Sequence, residues 1–317
     1  MDKKTLGTTG MEISPIVFGG NVLGWTTDDA TSFRVLDAFV DHGFDAIDTA
    51  DVYSAWVEGH KGGESETVLG KWFAARPGMR DKVKLFTKVG SDMGSPGEKG
   101  LSEDWILKAA DRSLERLGVE AIDLYFSHWP DPEVTHAETL GAYDTLLKAG
   151  KIKAIGASNY DAALLNAALD TAEAEGLPAY RVIQPEYNLY DRSTFEGPLK
   201  DLCVAKGIGV VTYFSLASGF LSGKYRTEAD LQGRARGGAV SKYLTEKGMR
   251  LLDVLEDVAG AHSAKPAEVA LAWLIGREGV TAPIASATSV EQVESFARAA
   301  ALKLSDEDMT RLTQAGA

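Results

Sequence analysis

The chain has 317 residues, 44% of them apolar and 25% charged, which is typical of a globular protein with a substantial core. Its formal charge of −13 argues against unspecific binding to nucleic acid or to an anionic membrane, because proteins that track phosphates normally present a basic face. The single cysteine, Cys203, excludes a disulfide framework and a zinc site built on several thiolates.

The sequence predicts a cytoplasmic protein without a membrane partner. No run approaches the roughly 20 apolar residues of a membrane span, and no signal-peptide core follows the charged start MDKKTLGTTG. A lone cysteine also fits a reducing compartment. No metal site is predicted, and an anionic ligand would have to find local cations on this acidic chain.

A hairpin is predicted at residues 4–14, where the chain turns through Gly7 and Gly10. Beyond it, short apolar runs alternate with amphipathic helical stretches as far as the C-terminus. The eight predicted strands after the hairpin are residues 15–20, 44–49, 83–89, 122–128, 152–158, 181–187, 209–215 and 281–287.

The segments between these strands carry helix start and stop signals. Ser102 precedes apolar residues at helical spacing, and Gly118 ends that stretch. Because strand, helix and parallel strand in succession imply right-handed crossovers, the units close most naturally into a (β/α)₈ TIM barrel that spans residues 1–317 as one domain. An open doubly wound sheet is the alternative. Three later helical stretches end in the same way, at Gly150, Gly176 and Gly276.

Two connections are longer than the others and rich in glycine and charge. They cover residues 90–100 after the third of the eight strands and residues 216–243 after the seventh. Long loops in a compact barrel are usually functional lids, although solvated linkers are the plainer interpretation.

In such a barrel, active-site residues lie where the strands end, because the βα loops ring one face. The second predicted strand ends near Asp48 and is followed by Tyr53, the third ends near Lys88, and the fourth ends at His128. Singly, each has an ordinary explanation, such as a solvated ion pair for the lysine or a half-buried imidazole for the histidine. Together, on three adjacent strands, they predict a catalytic group.

These side chains suit the transfer of a proton to a carbonyl oxygen. An ammonium group near a phenol stabilises the phenolate, so Lys88 is expected to lower the pKa of Tyr53 from about 10. Asp48 can keep Lys88 charged and oriented. His128 can hydrogen-bond the carbonyl oxygen and align it for protonation by Tyr53. Such a site supplies the proton for reduction of an electrophilic carbonyl, and the hydride has to come from another donor.

The sequence resembles the aldo-keto reductase superfamily over nearly its whole length, on the motifs GFDAIDTADVY, KLFTKVG, YFSHWPDP, GKIKAIGASNY, IQPEYNLYDR and SGFLSGKY. The resemblance implies an NAD(P)-dependent carbonyl reductase on a (β/α)₈ barrel. Two neighbouring carboxylates, Asp45 and Asp51, have no role in the motif and are expected to be solvated or to cap the loop. The family's Asp–Tyr–Lys–His tetrad falls on Asp48, Tyr53, Lys88 and His128.

The resemblance also implies where a nicotinamide cofactor binds. No G-x-G-x-x-G fingerprint follows the first of the eight strands, so a Rossmann domain is disfavoured. The nicotinamide is expected to lie flat against Tyr213, which fixes the face that offers the hydride. The residues expected around it are Ser158, Asn159 and Gln184, which hold the carboxamide, together with Gly20, Asn21 and Asp48.

The cofactor's pyrophosphate is expected after the seventh strand. The family usually has Ser-Pro-Leu there, and this chain has Phe214 and Ser215 in the first two places. Backbone amides can still bind a pyrophosphate, and side-chain cations would complete the site. The expected contacts are Phe214, Ser215, Leu216 and Ser218, with Lys224 and Arg234 as the cations.

The adenosine end departs further from the family's pattern. Ser286 replaces a glycine, Thr288 stands at the position that faces the 2′-phosphate, and Gln292 alone is kept. Ser295 and Phe296 replace a closing Glu-Asn pair. NADP is expected from the family's habit, and NAD is also possible, because hydroxyls and a helix start replace an arginine fork.

The substrate pocket is expected to be walled by Trp25, Trp56 and Trp129 and to favour apolar or aromatic aldehydes and ketones. Two other interpretations stay open. One is a regulatory or channel-associated subunit that keeps the reductase fold, which the complete tetrad disfavours. The other is a barrel hydrolase that uses Asp48 with Glu186, in which a lysine beside Asp48 would lack a purpose. The sequence predicts no oligomeric state.

Overall fold

The parallel strands of this chain close into a barrel. The computed structural model describes residues 2–233 and 237–317. Within those ranges, eight parallel strands each pair with the next in the chain, and the last pairs with the first; a short antiparallel hairpin precedes them. The strands are β1 (Lys4–Thr5), β2 (Glu12–Ile13), β3 (Val17–Gly19), β4 (Ala46–Asp48), β5 (Lys84–Val89), β6 (Leu124–Ser127), β7 (Ile155–Ser158), β8 (Val182–Gln184), β9 (Gly209–Thr212) and β10 (Ala282–Ala285).

Helices cover the outside of the barrel between successive strands. The helix predicted after Ser102 is confirmed, and it ends at Gly118, whose φ of 62° is left-handed. The α-helices are α1 (Asp29–Asp41), α2 (Glu64–Ala75), α3 (Met79–Lys82), α4 (Glu103–Leu117), α5 (His136–Lys148), α6 (Ala162–Glu175), α7 (Pro198–Lys206), α8 (Gly237–Val240), α9 (Glu246–Ala261), α10 (Pro266–Gly276), α11 (Val290–Ala301) and α12 (Asp306–Ala315).

This architecture confirms the predicted (β/α)₈ barrel with its N-terminal hairpin and excludes the open doubly wound sheet. All eight predicted strands are present, but the paired segments are shorter than the apolar runs. The run 15–20, for example, contributes only Val17–Gly19 to the sheet, because the chain enters a 3₁₀ turn at Gly20–Val22.

The two long loops differ in structure. Residues 90–100 contain no regular element, as predicted. The segment 216–243 is more ordered than predicted, because its described part contains α8 and three 3₁₀ turns, at Ala217–Ser222, Glu228–Leu231 and Ser241–Tyr243.

The core has two apolar layers, one inside the barrel and one between the barrel and its helices. Gly156 on β7 makes room for the inner layer, since a Cβ there would lie 2.5 Å from the Phe126 ring. The hairpin closes the N-terminal end of the barrel, because Leu6 and Ile13 are buried in the same inner cluster. The C-terminal end is therefore the open end. No helix in the described part of the chain is long and apolar enough to cross a membrane.

Candidate active site

The C-terminal ends of three adjacent strands carry the predicted tetrad. Asp48 is the last residue of β4, and Lys88 is the last residue but one of β5. His128 directly follows β6, and Tyr53 lies on the loop after β4. Parallel pairing of β4 with β5 and of β5 with β6 brings these positions together at the rim of the barrel.

Lys88 is the centre of the site, and its side chain has no solvent exposure. Its Nζ donates to Asp48 Oδ2 at 2.6 Å, to the Thr49 carbonyl at 2.7 Å and to the Tyr53 hydroxyl at 2.9 Å. An ammonium group has three N–H donors, and all three have acceptors here. The buried charge is thus both paired and fully hydrogen-bonded, which is the condition for keeping it inside a protein.

Asp48 is engaged on both carboxylate oxygens. Oδ2 accepts from Lys88, and Oδ1 accepts from Gln184 Nε2 at 3.0 Å. With 1% of its side chain exposed, Asp48 has no free oxygen for a substrate or a water molecule. The geometry therefore argues against a hydrolase in which Asp48 and Glu186 act as the two catalytic carboxylates.

Tyr53 is a protonated phenol in this structure. Burial and the nearby Asp48 carboxylate, whose Oδ2 lies 3.4 Å from the phenol oxygen, hold the pKa of Tyr53 well above its ordinary value. The predicted lowering of this pKa is wrong for the structure, because burial, and after it the Asp48 carboxylate, raise the pKa of Tyr53. Lys88 donates to the phenol oxygen at 2.9 Å, while the Tyr53 hydroxyl donates to Asp48 Oδ2 only at the long distance of 3.4 Å, a bond that a closer acceptor can replace.

His128 is positioned by backbone and side-chain contacts. Its backbone N–H donates to the Val89 carbonyl at 2.8 Å, and its carbonyl accepts from Asn159 Nδ2 at 2.8 Å. Its ring centroid lies 6.0 Å from that of Tyr53. Burial, and secondarily the Lys88 charge, hold the pKa of His128 well below its usual range, so the imidazole is neutral at neutral pH.

Four of the residues expected around the nicotinamide, Ser158, Asn159, Gln184 and Tyr213, lie together at the ends of β7, β8 and β9. Tyr213 donates its hydroxyl hydrogen to Asn159 Oδ1 at 2.7 Å, and Asn159 Nδ2 also contacts Ser158 Oγ at 3.2 Å. The Ser158 hydroxyl donates to the Gln184 backbone carbonyl at 2.8 Å. This network fixes the Tyr213 ring and leaves the Gln184 side-chain carbonyl and one Asn159 lone pair for a ligand.

The turn after β9 has an unusual backbone. Phe214, Ala217, Ser218 and Gly219 have φ angles of 52°, 49°, 57° and 99°, in the left-handed region that most residues avoid. Turns of this kind direct backbone N–H groups to one side and form anion-binding concavities, and such strain is concentrated at functional sites. The Ser215 hydroxyl is turned inward and donates to the Thr212 carbonyl at 2.9 Å.

Of the two cations predicted for the pyrophosphate, Lys224 is exposed, and its Nζ lies 4.9 Å from the centre of the Tyr225 ring. It forms no ion pair with the described residues. The second, Arg234, lies outside the described residues.

The ends of β3 and β10 meet beside the tetrad. Ser286 Oγ donates to Asn21 Oδ1 at 2.6 Å, which leaves the Asn21 NH₂ group free to donate elsewhere. A Cβ on Gly19 would lie 2.6 Å from Ser286 Oγ, and one on Gly20 would lie 2.9 Å from the Asp48 carbonyl. Gly19 and Gly20 let the end of β3 and the turn after it approach β10 and β4 closely.

The predicted adenosine residues cluster at the start of α11. Gln292 Oε1 accepts from the Thr288 backbone N–H at 2.7 Å and lies 3.4 Å from its hydroxyl. Ser289 precedes the helix without capping it through its side chain. Ser295 bonds the buried Glu268 at 2.7 Å, and Phe296 is buried, so these two residues serve packing.

Aromatic side chains surround the tetrad. Trp56 and Trp129 are 51% and 50% exposed, which is high for tryptophan. Trp56 lies 5.5 Å from Trp25 and 6.1 Å from Tyr53 between ring centroids, and Trp129 stacks on His128 at 6.0 Å. These contacts bring the three predicted pocket tryptophans to the rim of the site.

Asp45 and Asp51 are not solvated, and one residue near the site was missed. Asp45 is buried and bonds Lys3 and Lys84, and it caps the loop before β3 by accepting from the Ser14 N–H. Asp51 is buried too, and neither carboxyl oxygen has a hydrogen-bond partner in the structure. Sequence reasoning also missed Ser91, whose Oγ lies 3.0 Å from His128 Nδ1.

The fold and the site together are a parallel (β/α)₈ barrel with a buried lysine–aspartate pair against a tyrosine at its open end. The Aldo/keto reductase family model matches residues 15–317, and the chain belongs to this family. Membership supports an oxidoreductase that acts on carbonyl compounds, and the family generally uses NAD(P)H.

Three relatives match almost the whole chain. An uncharacterized oxidoreductase of Bacillus subtilis (strain 168), YrpG, is 32% identical over 318 residues, which cover 98% of this chain and 94% of the relative. Probable aldo-keto reductase 1 of Glycine max is 31% identical over 322 residues, which cover 98% of this chain and 87% of the relative. A probable voltage-gated potassium channel subunit beta of Arabidopsis thaliana is 28% identical over 306 residues, which cover 94% of this chain and 91% of the relative.

Proposed function

We propose that this protein is an NADP(H)-dependent oxidoreductase that reduces aldehydes or ketones to alcohols. The observation that carries the proposal is the buried Lys88 ammonium, which contacts both Asp48 and the Tyr53 hydroxyl within 2.9 Å. The bound nicotinamide would supply the hydride. Proton donation, stabilisation of the phenolate and orientation of the carbonyl are assigned to side chains of this protein.

Tyr53 acts as the general acid. Its proton is retained at neutral pH because its pKa lies well above the ordinary value. As negative charge develops on the carbonyl oxygen, the proton passes from Tyr53 to that oxygen. The phenolate left behind faces Lys88 at 2.9 Å, so the ammonium group stabilises charge that exists only late in the reaction.

His128 and Asp48 support this step. A neutral His128 imidazole can donate one hydrogen bond to the carbonyl oxygen and so orient it toward Tyr53 without competing as an acid. Asp48 fixes the Lys88 ammonium at 2.6 Å and keeps it charged in a site without solvent.

The cofactor contacts follow the network at the strand ends. We assign the nicotinamide face to Tyr213 and the carboxamide to Ser158, Asn159 and Gln184. The left-handed turn at 214–219 would receive the pyrophosphate with help from Lys224. Thr288 and the open start of α11 would receive the adenosine 2′-phosphate, with Ser286 and Asn21 nearby.

The substrate is assigned to a pocket walled by Trp25, Trp56 and Trp129. Two half-exposed tryptophans beside the tetrad offer apolar surface to an apolar or aromatic aldehyde or ketone, and no charged group among the three would attract a small anion. Free phosphorylated sugars are the contrasting class.

The experiment compares wild type with Tyr53→Phe, using loss of reduced-nicotinamide absorbance with an aromatic aldehyde and with a phosphorylated sugar. We expect turnover on the aldehyde, and a loss of about 10²- to 10⁴-fold in kcat for Tyr53→Phe with cofactor affinity changed by no more than a factor of a few. Tyr190→Phe, which removes only a hydroxyl 3.0 Å from Thr245, is the matched control.

A regulatory subunit with the same fold is the second candidate, since one relative is named as a potassium channel subunit beta. That candidate predicts nicotinamide binding without steady turnover on any simple aldehyde. Turnover that Tyr53→Phe leaves intact would contradict the assigned general acid, and no nicotinamide binding at all would contradict both candidates.

A further inference from the structure

Ser91 lies in the loop 90–100 and contacts the imidazole ring of His128, to which the proposed function assigns the orientation of the substrate carbonyl. Its Oγ is 3.0 Å from His128 Nδ1, and this is its hydrogen bond in the structure. Nε2, the other ring nitrogen, has no hydrogen-bond partner among the described residues and is the atom left for a ligand.

The tautomer of His128 decides what that atom can do. A neutral imidazole carries its single proton on Nδ1 or on Nε2. A carbonyl oxygen only accepts hydrogen bonds, so His128 can orient a substrate carbonyl only when Nε2 carries the proton. In that tautomer Nδ1 is a bare acceptor, and a hydroxyl that donates to it is the complementary partner.

The loop that carries Ser91 is fixed in place. Gly90 has a φ of 117°, which other residues rarely adopt, and its carbonyl accepts from the Gly100 N–H at 3.1 Å, closing the loop. Glu98 pairs with Arg112 of α4 at 2.8 Å. The direction of Ser91 is therefore set by the loop.

The other side of His128 is fixed as well. Asn159 holds the His128 carbonyl, and the Trp129 ring stacks on the imidazole at 6.0 Å. The ring therefore has little freedom to turn Nδ1 away from Ser91. Among residues 2–233 and 237–317, the Ser91 hydroxyl is the one side-chain group in hydrogen-bond contact with Nδ1.

We propose that Ser91 is a positioning residue that donates to His128 Nδ1, holds the imidazole in the Nε2–H tautomer, and so presents a hydrogen-bond donor to the substrate carbonyl. The effect on catalysis rests on the proposed carbonyl reduction. The tautomer itself does not, because it is a property of the ligand-free protein.

The first test is ¹⁵N NMR of the imidazole nitrogens in ligand-free wild type and Ser91→Ala, with His128→Gln to assign the signals. We expect wild-type His128 to be neutral with its proton on Nε2, and Ser91→Ala to show a mixture of tautomers. Ser91→Thr, which keeps the hydroxyl, should restore the wild-type spectrum. A wild-type proton on Nδ1, or an unchanged tautomer in Ser91→Ala, would overturn the proposal.

The second test is steady-state reduction of an aromatic aldehyde. Ser91→Ala should lower kcat about five- to tenfold, which corresponds to the net contribution of one neutral hydrogen bond. Cofactor affinity should stay unchanged, and Ser91→Thr should recover most of the lost kcat. Ser95→Ala, in the same loop but exposed, is the matched control. Equal kcat in wild type and Ser91→Ala would refute the claim that Ser91 contributes to carbonyl reduction. A wild type without turnover would refute the proposed function and leave the NMR result to decide the tautomer.

Discussion

Lys88 shows how one buried residue serves both stability and chemistry. Burial lowers the pKa of Lys88, and the Asp48 carboxylate opposes this by favouring the charged form. Removing one partner of such a pair leaves the other buried and uncompensated, which costs about 3–5 kcal/mol. The tetrad is therefore part of the folded core as well as the proposed site of reaction.

Lys88→Met should accordingly lower the free energy of unfolding by about 3–5 kcal/mol and abolish turnover, because Asp48 then keeps its bond to Gln184 and the long 3.4 Å bond from Tyr53 but loses its cation. The double variant Lys88→Met with Asp48→Asn removes both charges and should recover part of the stability without any activity. Urea unfolding and the aldehyde assay measure the two effects. A double variant no more stable than Lys88→Met would show that the pair is not the source of the loss.

Asp51 is the opposite case, a buried carboxyl whose oxygens have no hydrogen-bond partner in the part of the chain that the structure describes. Burial, with the Glu66 carboxylate as the second cause, holds the pKa of Asp51 well above its ordinary value. In the unfolded chain the group ionises near pH 4. Because the folded pKa is the higher of the two, the stability that Asp51 contributes is fully present below about pH 4 and is lost as the pH rises toward the folded value.

Asp51→Asn should therefore be more stable than wild type at neutral pH, by up to about 1.4 kcal/mol for each pH unit that separates the two pKa values, and equal to it near pH 4. Urea unfolding across this range measures the difference. Asp45→Asn is a control of opposite sign. Burial raises the pKa of Asp45, but the bonds from Lys3 and Ser14 lower it, and the net pKa is lowered. Asp45→Asn should therefore lose stability at neutral pH. A pH-independent difference for Asp51→Asn would contradict a protonated Asp51.

At the scale of elements, the strands were predictable because apolar runs, caps and glycines recur in a fixed order. Their ends were not, because ladder pairing stops where the backbone turns to build the rim, as at Gly20 after β3. The clustering of Asp48, Tyr53, Lys88 and His128 was predictable, since chemically distinctive residues stand at adjacent strand ends. Ser91 and the burial of Asp51 were not, because a serine in a glycine-rich loop and an aspartate in a polar run look solvated until the loops are folded.

Gly156 on β7 provides the test of packing inside the barrel. An alanine Cβ there would lie 2.5 Å from the Phe126 ring and 3.0 Å from the Val182 carbonyl, so the inner layer would have to shift. Gly156→Ala should cost about 1–3 kcal/mol of unfolding free energy, as overpacked cores do. Phe126→Leu in the same chain should relieve part of this cost.

Gly141→Ala is the matched control for that variant. It lies within α5, and its Cβ would meet nothing within 4 Å. This substitution should stabilise the protein by up to about 1 kcal/mol, because alanine is the better helix former. A Gly156→Ala protein as stable as wild type in urea unfolding would show that the barrel interior is less tightly filled than these distances indicate.

At the scale of the whole molecule, a chain with a formal charge of −13 is proposed to bind an anionic dinucleotide. Long-range attraction cannot help such a ligand, so affinity has to come from contacts within the site. The left-handed turn after β9, Lys224 and the start of α11 are the available donors. The proposed site offers a 2′-phosphate the Thr288 hydroxyl and a helix start in place of an arginine fork, so the adenosine end is expected to be the weakest part of the site for NADPH.

NADPH should therefore bind more tightly than NADH by a modest margin. A charge-assisted bond to phosphate contributes about 1.5–3 kcal/mol and a hydroxyl about half of that, so we expect a preference nearer tenfold than a thousandfold. Thr288→Arg should widen the margin by about another tenfold. Fluorescence titration with both nucleotides measures it, and Thr310→Arg on exposed α12 controls for the added charge alone. Equal affinities in wild type, or the same margin in Thr288→Arg as in Thr310→Arg, would show that the 2′-phosphate does not meet Thr288.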